Sequence, residues 1–214
     1  MDEADLTVAA VESVGTDTVA VEVESPPGFT AQPGQFVKLA FETADGPEAR
    51  FYTVSSPDVE GTFEVTVEVD PRDDVGALLD GLSAGDSVRV SGPFGRNYYD
   101  GEDPAVVLAG GPGVGAAVAI AERALADGHE AVVVYRADDP VHAERIAALR
   151  EAGVTVAVPD TDAALTAAVG SALAEHGRDS QLFVYGFAPF VDAATAAIEG
   201  AGGRTDAAKV ENFG

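Results

Sequence analysis

Residues 50–57, with the sequence Arg-Phe-Tyr-Thr-Val-Ser-Ser-Pro, bring a cation, an aromatic ring and a hydroxyl together within four positions. In an extended strand, residues two apart share a face, so we expect Arg50 and Tyr52 to point the same way and Thr53 to the other side. A guanidinium suits a phosphate group, and a phenol ring can lie against a flat aromatic ligand. The pattern indicates a site for an aromatic ligand that carries phosphate. The alternative is a half-exposed strand with a surface arginine and a buried tyrosine.

A second candidate site is the glycine-rich segment 110–115, which follows the apolar run 105–109 and precedes an alanine-rich stretch that ends near Gly128. Glycines let a phosphate approach the backbone, and the first turn of a helix supplies amide donors. No Gly-Lys-Ser/Thr follows, so this is not a phosphate-transfer loop, and a dinucleotide is the better ligand. The alternative is a tight turn without a ligand.

The residue types limit the available chemistry. The chain has no cysteine, which excludes disulfides, thiolate nucleophiles and iron–sulfur clusters held by cysteine. The histidines, His129, His142 and His176, lack the spacing of metal ligands, so no metal site is expected. Redox chemistry would require a bound organic cofactor.

The charge is strongly negative: 37 acidic residues face 12 basic ones, for a net charge of −25. Such a chain repels the phosphate backbone, so we expect no nucleic-acid partner. The composition is typical of a halophilic cytosolic protein, although a very soluble acidic protein would look the same. No apolar run is long enough for a membrane span and the first residues do not resemble a secretory signal, so we expect a cytoplasmic protein.

Two regions with different patterns must position these residues. The first contains short strands split by glycine and proline turns, which predicts an antiparallel β-barrel with one helix at residues 76–82, capped by Asp73 or Asp74. The second alternates strands and helices, which predicts a doubly wound parallel α/β domain. We therefore predict a two-domain protein with boundaries at 1–99 and 100–214. The predicted strands cover residues 19–23, 35–41, 50–54, 62–69, 86–90, 105–109, 131–135, 154–158 and 182–185, and the later helices residues 142–152, 163–175 and 191–199.

Six short motifs occur in an order that resembles the ferredoxin–NADP reductase superfamily over essentially the whole chain. They are Pro33-Gly34-Gln35-Phe36, Arg50-Phe51-Tyr52-Thr53, Gly92-Pro93-Phe94-Gly95, Gly110-Gly111-Pro112-Gly113, Tyr185-Gly186-Phe187-Ala188-Pro189-Phe190 and Glu211-Asn212-Phe213-Gly214. The resemblance implies a flavin-binding barrel, a nicotinamide-binding domain, and hydride transfer at the cleft between them.

The resemblance also implies residue roles. Arg50 would bind the flavin phosphate, Tyr52 would pack against the isoalloxazine, and Thr53 would lie near the nitrogen that accepts hydride. The reacting centre would comprise Tyr52, Thr53, Tyr185, Glu211 and Phe213. Contacts to the flavin and the nicotinamide dinucleotide would come from Arg50, Phe51, Tyr52, Thr53, Val67, Gly76, Ala77, Leu78, Gly111, Gly113, Val114, Arg136, Asp138, Gly186, Phe187 and Phe213.

Several positions depart from the family pattern. Pro112 and Ala116 replace the usual threonine and proline of the glycine loop, and Ala77 replaces a serine or threonine. Tyr185 stands where many relatives carry the cysteine that positions the nicotinamide, which puts the hydride-transfer geometry in doubt.

Two cofactor choices follow from nearby residues. Asp138 and Asp139, after the second strand of the α/β half, favour a ribose hydroxyl and hence NADH, whereas Arg136 favours NADPH. Tyr98 or Tyr99 would stack on an adenine, which favours FAD over FMN, unless they are ordinary loop aromatics.

The predicted function is a FAD-dependent NAD(P)H oxidoreductase that passes electrons to a separate acceptor, either a protein such as ferredoxin or a small molecule such as a quinone. Two alternatives stay open: a flavin reductase that releases reduced flavin, and a non-catalytic flavin- or nucleotide-binding subunit of a larger complex. Hydride transfer needs orientation and no general acid, base or nucleophile, which agrees with the residue types present.

Overall fold

Two β-sheets organise the chain. The structure is a computed structural model, and it describes residues 1–70, 72–177 and 180–214. The first sheet contains β1 (Ala4–Gly15), β2 (Thr18–Glu24), β3 (Phe36–Thr43), β4 (Gly46–Thr53), β5 (Thr62–Glu68) and β6 (Ser87–Phe94). The second contains β7 (Ala105–Gly110), β8 (Ala131–Arg136), β9 (Thr155–Ala157), β10 (Gln181–Gly186) and β11 (Lys209–Asn212). The helices are α1 (Asp74–Asp80), α2 (Val114–Asp127), α3 (Ala143–Glu151), α4 (Asp162–His176) and α5 (Ala188–Gly200).

The first sheet is antiparallel in the order β4-β3-β6-β1-β2-β5. Its two edge strands approach each other where Val54 pairs with Val65, so the sheet curls into a barrel around a valine-rich core. Helix α1 begins at Asp74, two residues before the predicted start, and Asp73 of the two predicted candidates is its cap: the Asp73 carboxylate accepts a hydrogen bond from the Gly76 amide at 3.1 Å. The side chains of Val75 and Leu79 pack into the barrel core and hold the helix against it.

The second sheet is parallel in the order β11-β10-β7-β8-β9. Successive side chains of β7 point to opposite faces: Val107 packs with α2 and α3, and Val106 and Leu108 pack with α4 and α5. This is the doubly wound arrangement that the alternating pattern predicts, and the predicted fold class is confirmed.

Two strands were not predicted from the sequence. Strand β1 carries register shifts between Val8 and Ala10 and between Ser13 and Gly15, which break the alternation of apolar and polar residues. Strand β11 is short and lies at the edge of the sheet, where it pairs with β10. The chain passes from one sheet to the other between Phe94 and Ala105, and the boundary at residues 99 and 100 stays a prediction.

None of the helices in the described ranges is both long and apolar enough to cross a membrane.

Arg145, on α3, joins the two sheets. Its guanidinium contacts Glu64 on β5 at 2.9 Å, the backbone carbonyl of Ser55 at 2.8 Å, and Glu122 on α2 at 2.6 Å. Burial raises the pKa of Glu64, and the Arg145 charge opposes that rise. One half-buried cation thus connects the barrel to two helices of the α/β half.

His142 forms a second connection between the sheets. Its backbone adopts the left-handed conformation (φ 56°), its amide donates to the Val14 carbonyl at 2.8 Å, and its Nε2 lies 2.8 Å from Thr66 Oγ1. The side chain is buried, and this burial lowers the pKa of His142 to about 4. The imidazole is therefore neutral at neutral pH.

We predict that His142 makes folding stability depend on pH between about 6.5 and 4. The unfolded chain binds a proton at the ordinary histidine pKa while the folded chain resists it, so stability is complete above pH 6.5 and falls as the pH approaches 4. The loss attributable to this group is about 3 kcal/mol. Urea unfolding at constant salt would measure it in the wild type and in His142→Asn, which tolerates the left-handed backbone and does not titrate. Parallel pH profiles for the two proteins would contradict the assignment.

Candidate functional site

A cleft of about 410 Å³ opens between the barrel and the carboxyl ends of the parallel strands. Ligands of doubly wound sheets bind at this end of the strands. The lining residues are Arg50, Phe51, Tyr52, Thr53, Thr66, Glu68, Asp70, Asp73, Gly76, Leu79, Pro112, Phe187 and Phe213. The structure therefore brings the predicted strand motif of residues 50–53 to the same cavity as the glycine turn and the C-terminal segment.

Strand β4 supplies a cation and an aromatic ring to the cleft. Tyr52 packs against the barrel core, and burial raises its pKa to about 12, so the phenol is neutral at ordinary pH. Arg50 forms ion pairs with Glu48 at 2.8 Å and with Asp73 at 3.4 Å, and its side chain is 40% exposed. The guanidinium is thus held at the edge of the cleft by two carboxylates.

Negative charge dominates the rest of this region. Among the described residues that line the cleft, Arg50 is the only basic one, and it shares the cavity with Glu68, Asp70 and Asp73. Hydrogen bonds from Arg72 lower the pKa of Asp70 to about 2, which keeps that carboxylate ionised. An anionic ligand must therefore bind beside fixed negative charges. Among the described lining residues, Arg50 is the one that can neutralise the charge of such a ligand.

Helix α1 meets the cleft at Gly76. A Cβ at this position would lie 2.0 Å from the Asp70 carbonyl oxygen, so only glycine fits. The Gly76 amide is already engaged by Asp73, and a direct phosphate contact from it stays a prediction. Ala77 and Leu78, also predicted as contacts, are exposed on the helix and do not line the cleft.

In the glycine turn, one glycine is exposed and another is tightly packed. Gly111 has a φ of 57° and stays exposed, whereas a Cβ on Gly113 would lie 2.2 Å from the Tyr185 carbonyl oxygen. Val114 is completely buried, as is Val67 in the barrel core. Gly186 faces the ring of Phe190. The structure thus leaves Gly111 accessible and places Gly113, Val114, Val67 and Gly186 in packing positions.

The C-terminal strand brings an aromatic ring to the cleft. Phe213 stacks edge-on against Phe187 with ring centroids 5.8 Å apart, and its amide donates to the Gly186 carbonyl at 3.0 Å. Glu211 lies on an adjoining cavity of about 260 Å³ that also contacts Thr53 and Phe51. The structure therefore places Phe213 at both cavities and Glu211 at the adjoining one, and their roles stay predictions.

Tyr185 occupies a position that does not suit the predicted catalytic role. The side chain is completely buried, and its hydroxyl donates to the backbone carbonyl of Asn97 while packing against Gly34. Burial raises the pKa of Tyr185 well above its ordinary value, so it does not titrate. Since this hydroxyl points into the junction of the two sheets and not into the cleft, Tyr185 acts as a structural contact.

Asn97 is a site residue that the sequence did not reveal. Its side-chain amide donates to the Val210 carbonyl at 2.7 Å and to the Glu211 carboxylate at 3.0 Å. Asn97 lies in a polar, turn-rich linker, where an amide side chain has no distinguishing pattern. It fixes the carboxylate of Glu211 beside the adjoining cavity.

Arg136 and Asp138 lie in a third cavity, of about 310 Å³, on the other side of the glycine turn. It shares Pro112 with the main cleft. Arg136 Nη1 contacts Asp138 at 2.8 Å, and its Nε lies 3.6 Å from Asp162. The predicted coenzyme residues are therefore together, with the arginine already paired to two carboxylates.

Comparisons with known proteins agree with this geometry. The family model described as the oxidoreductase FAD-binding domain matches residues 4–99. The reductase subunit of an aromatic O-demethylase from Amycolatopsis is 33% identical over 129 residues, which cover 56% of this chain and 38% of that protein. The reductase subunit of a glycine betaine monooxygenase from Pseudomonas aeruginosa is 37% identical over 101 residues, which cover 45% of this chain and 28% of that protein. The chain thus matches well under half the length of these relatives.

Solved structures share the whole fold. A cytochrome P450 reductase of Amycolatopsis superposes with a TM-score of 0.79 at 25% identity, covering 99% of this chain and 70% of that one. A ferredoxin NADP⁺ reductase from Neisseria gonorrhoeae superposes with a TM-score of 0.82 at 17% identity, covering all of both chains. At that identity the second likeness concerns the fold alone.

We predict that Arg50→Gln weakens FAD binding about tenfold, because it removes the basic side chain of a cleft that contains three carboxylates. Fluorescence titration of the apoprotein with FAD at fixed salt would measure the affinity. Arg89→Gln is the matched control, since Arg89 is also a half-exposed barrel arginine with two acidic partners, and it lies outside the cleft. Equal affinities for Arg50→Gln and the wild type would contradict a phosphate-binding role.

Proposed function

Because the first half of the chain is a FAD-binding oxidoreductase domain of the ferredoxin reductase family, we propose that the protein transfers a hydride from NADH to bound FAD and passes the electrons to a separate acceptor protein. The observation that carries the proposal is the shared cleft, in which residues 50–53 of the barrel, the glycine turn and Phe213 line one cavity.

The residues present fit FAD. Arg50 is placed to bind the diphosphate, the neutral ring of Tyr52 offers a flat apolar surface, and Thr53 supplies a hydroxyl. When bound, FAD supplies a two-electron acceptor that can release electrons singly. The chain contributes binding, orientation and exclusion of water, and Phe187 and Phe213 cover the cleft from the α/β side.

NADH is the coenzyme that the third cavity favours. A 2′-phosphate would need a free cation, but Arg136 is paired with Asp138 and Asp162. Asp17 and Asp139 also line the cavity, and carboxylates accept hydrogen bonds from ribose hydroxyls. The Neisseria neighbour was solved with FAD and NADP bound, which supports a nicotinamide dinucleotide here without deciding between the two forms.

A protein acceptor is supported by the relatives, which are reductase subunits of a demethylase and a monooxygenase. A ferredoxin is the finer proposal. Release of reduced flavin is a second candidate, favoured because the described lining residues of the cleft include one cation and three carboxylates, and such a site would hold an anionic cofactor weakly. The cytoplasmic location and the adaptation to salt stay predictions.

The proposal is tested by an absorption spectrum of the protein purified in molar salt and reconstituted with FAD, recorded before and after anaerobic NADH. We expect a bound flavin band that NADH bleaches. A protein that takes up no FAD would contradict the proposal. A flavoprotein that neither NADH nor NADPH bleaches would instead indicate a non-catalytic subunit.

We predict that the double variant Asp138→Ser with Asp162→Asn raises the NADPH/NADH ratio of kcat/KM about tenfold, because it frees Arg136 to bind a 2′-phosphate. Steady-state kinetics with both coenzymes would measure the ratio. Asp160→Asn is the control, since it removes one exposed charge near Asp162 without releasing Arg136. An unchanged ratio would show that Arg136 does not face the ribose.

A further inference from the structure

The turn between β1 and β2 of the barrel forms one wall of the third cavity. Residues 16–18 lie at this turn and line the cavity together with Arg136 of the α/β half. Glu68 and Pro112 line both this cavity and the main cleft. An elongated ligand can therefore extend from the cleft into the third cavity and contact both halves of the chain.

Two contacts hold this turn against its neighbours. A Cβ on Gly15 would lie 2.3 Å from Val141 Cγ1, so the end of β1 packs directly against the segment before α3. The Val69 amide donates a hydrogen bond to the Asp17 carbonyl at 2.8 Å, which joins the turn to the residue that follows β5. The wall that the barrel contributes is therefore a fixed part of the cavity.

Asp17 carries a carboxylate at this turn. Its backbone is left-handed, with a φ of 49°, a conformation that aspartate and asparagine adopt more readily than most residues. The residue is exposed, and its side chain forms no hydrogen bond or ion pair with the residues that the structure describes. The carboxylate is therefore available to a ligand in the cavity.

Arg136 supplies a hydrogen-bond donor to the same cavity. Its Nε is buried and has no hydrogen-bond partner among the described residues, because the Asp162 carboxylate lies 3.6 Å away, beyond hydrogen-bond distance. Its Nη1 contacts Asp138 at 2.8 Å, so carboxylates already balance the charge of the guanidinium. A buried donor without a partner costs free energy, and a neutral ligand oxygen beside Nε would remove that cost.

We propose that Asp17 determines coenzyme specificity from the barrel side of the third cavity, by accepting a hydrogen bond from the adenosine ribose and repelling a 2′-phosphate. This inference rests on the proposed function. Arg136 Nε donates to an oxygen of the same ribose. A 2′-phosphate brings about two negative charges into a cavity whose described lining residues already include the carboxylates of Asp17, Glu68, Asp138 and Asp139. Both halves of the chain then select NADH.

The experiment measures ligand binding without turnover. Calorimetry in molar salt compares 5′-AMP with adenosine 2′,5′-bisphosphate, which differ by the 2′-phosphate alone, as ligands of the FAD-loaded wild type and of Asp17→Asn. We expect Asp17→Asn to bind the bisphosphate about threefold more tightly with 5′-AMP binding unchanged, since asparagine loses the charge and keeps an acceptor oxygen. Asp45→Asn is the matched control, because Asp45 is an exposed aspartate in the β3–β4 turn that lines none of the three cavities.

Asp17→Gly provides a second variant, since glycine adopts a φ of 49° without strain. This variant removes both the charge and the acceptor. We expect it to weaken 5′-AMP binding about threefold and to lower the preference for 5′-AMP over the bisphosphate at least as much as Asp17→Asn does. In steady-state kinetics, both variants raise the NADPH/NADH ratio of kcat/KM.

The outcomes separate this proposal from the proposed function. A wild type that binds 5′-AMP but whose flavin is not reduced by NADH overturns the proposed function. If NADH reduces the flavin and both Asp17 variants keep the wild-type preference between the two ligands, the proposed function stands and the role of Asp17 is overturned. An equal shift in Asp45→Asn also overturns that role, because net charge alone would explain it. A wild type that binds neither ligand overturns the assignment of the adenosine to the third cavity.

Discussion

The close contact between α2 and the barrel sets the shape of the cleft. A Cβ on Gly115 would lie 2.4 Å from Thr66 Oγ1 and 2.8 Å from the Ser55 side chain, so the first turn of α2 rests directly on the barrel. Arg145 and His142 secure the same contact from α3 and the residue before it. Because the glycine turn immediately precedes α2, its distance from β4 follows from this packing. The ligand cavity is therefore a consequence of how the two sheets are joined.

The charge of the cleft reflects a conflict between solubility and cofactor binding. The acidic residues extend into the cavity, where Glu68, Asp70 and Asp73 surround one arginine. At molar salt the Debye length is about 3 Å, so only direct contacts, such as the one proposed between Arg50 and a phosphate, would keep most of their strength. A salt-rich environment would reconcile the surface charge with an anionic cofactor, and dilute buffer would not.

Short strands split by glycine and proline turns predicted the antiparallel sheet, and the alternation of strands and helices predicted the parallel one. The glycine turn and residues 50–53 pointed to the cavity that they share. The cap of α1 could be narrowed to Asp73 or Asp74 because capping depends on local sequence, and the structure selects Asp73. Long-range contacts could not be predicted in this way. The burial of Tyr185, the bond from Asn97 to Glu211 and the partners of Arg136 depend on which segments meet in space. The family resemblance placed Tyr185 at the reacting centre because a resemblance matches positions in the sequence. It gives no information about the direction in which a side chain points.

The packing of the Tyr185 hydroxyl against Gly34 links two positions 151 apart in the chain. A side chain at position 34 would collide with the phenol, since a Cβ there would lie 2.2 Å from its oxygen. A cysteine at position 185 would leave space unfilled and the Asn97 carbonyl without its donor. The tyrosine therefore adds a steric requirement for glycine at position 34 to the one already set by its φ of 98°, and neither position can change size without a change at the other.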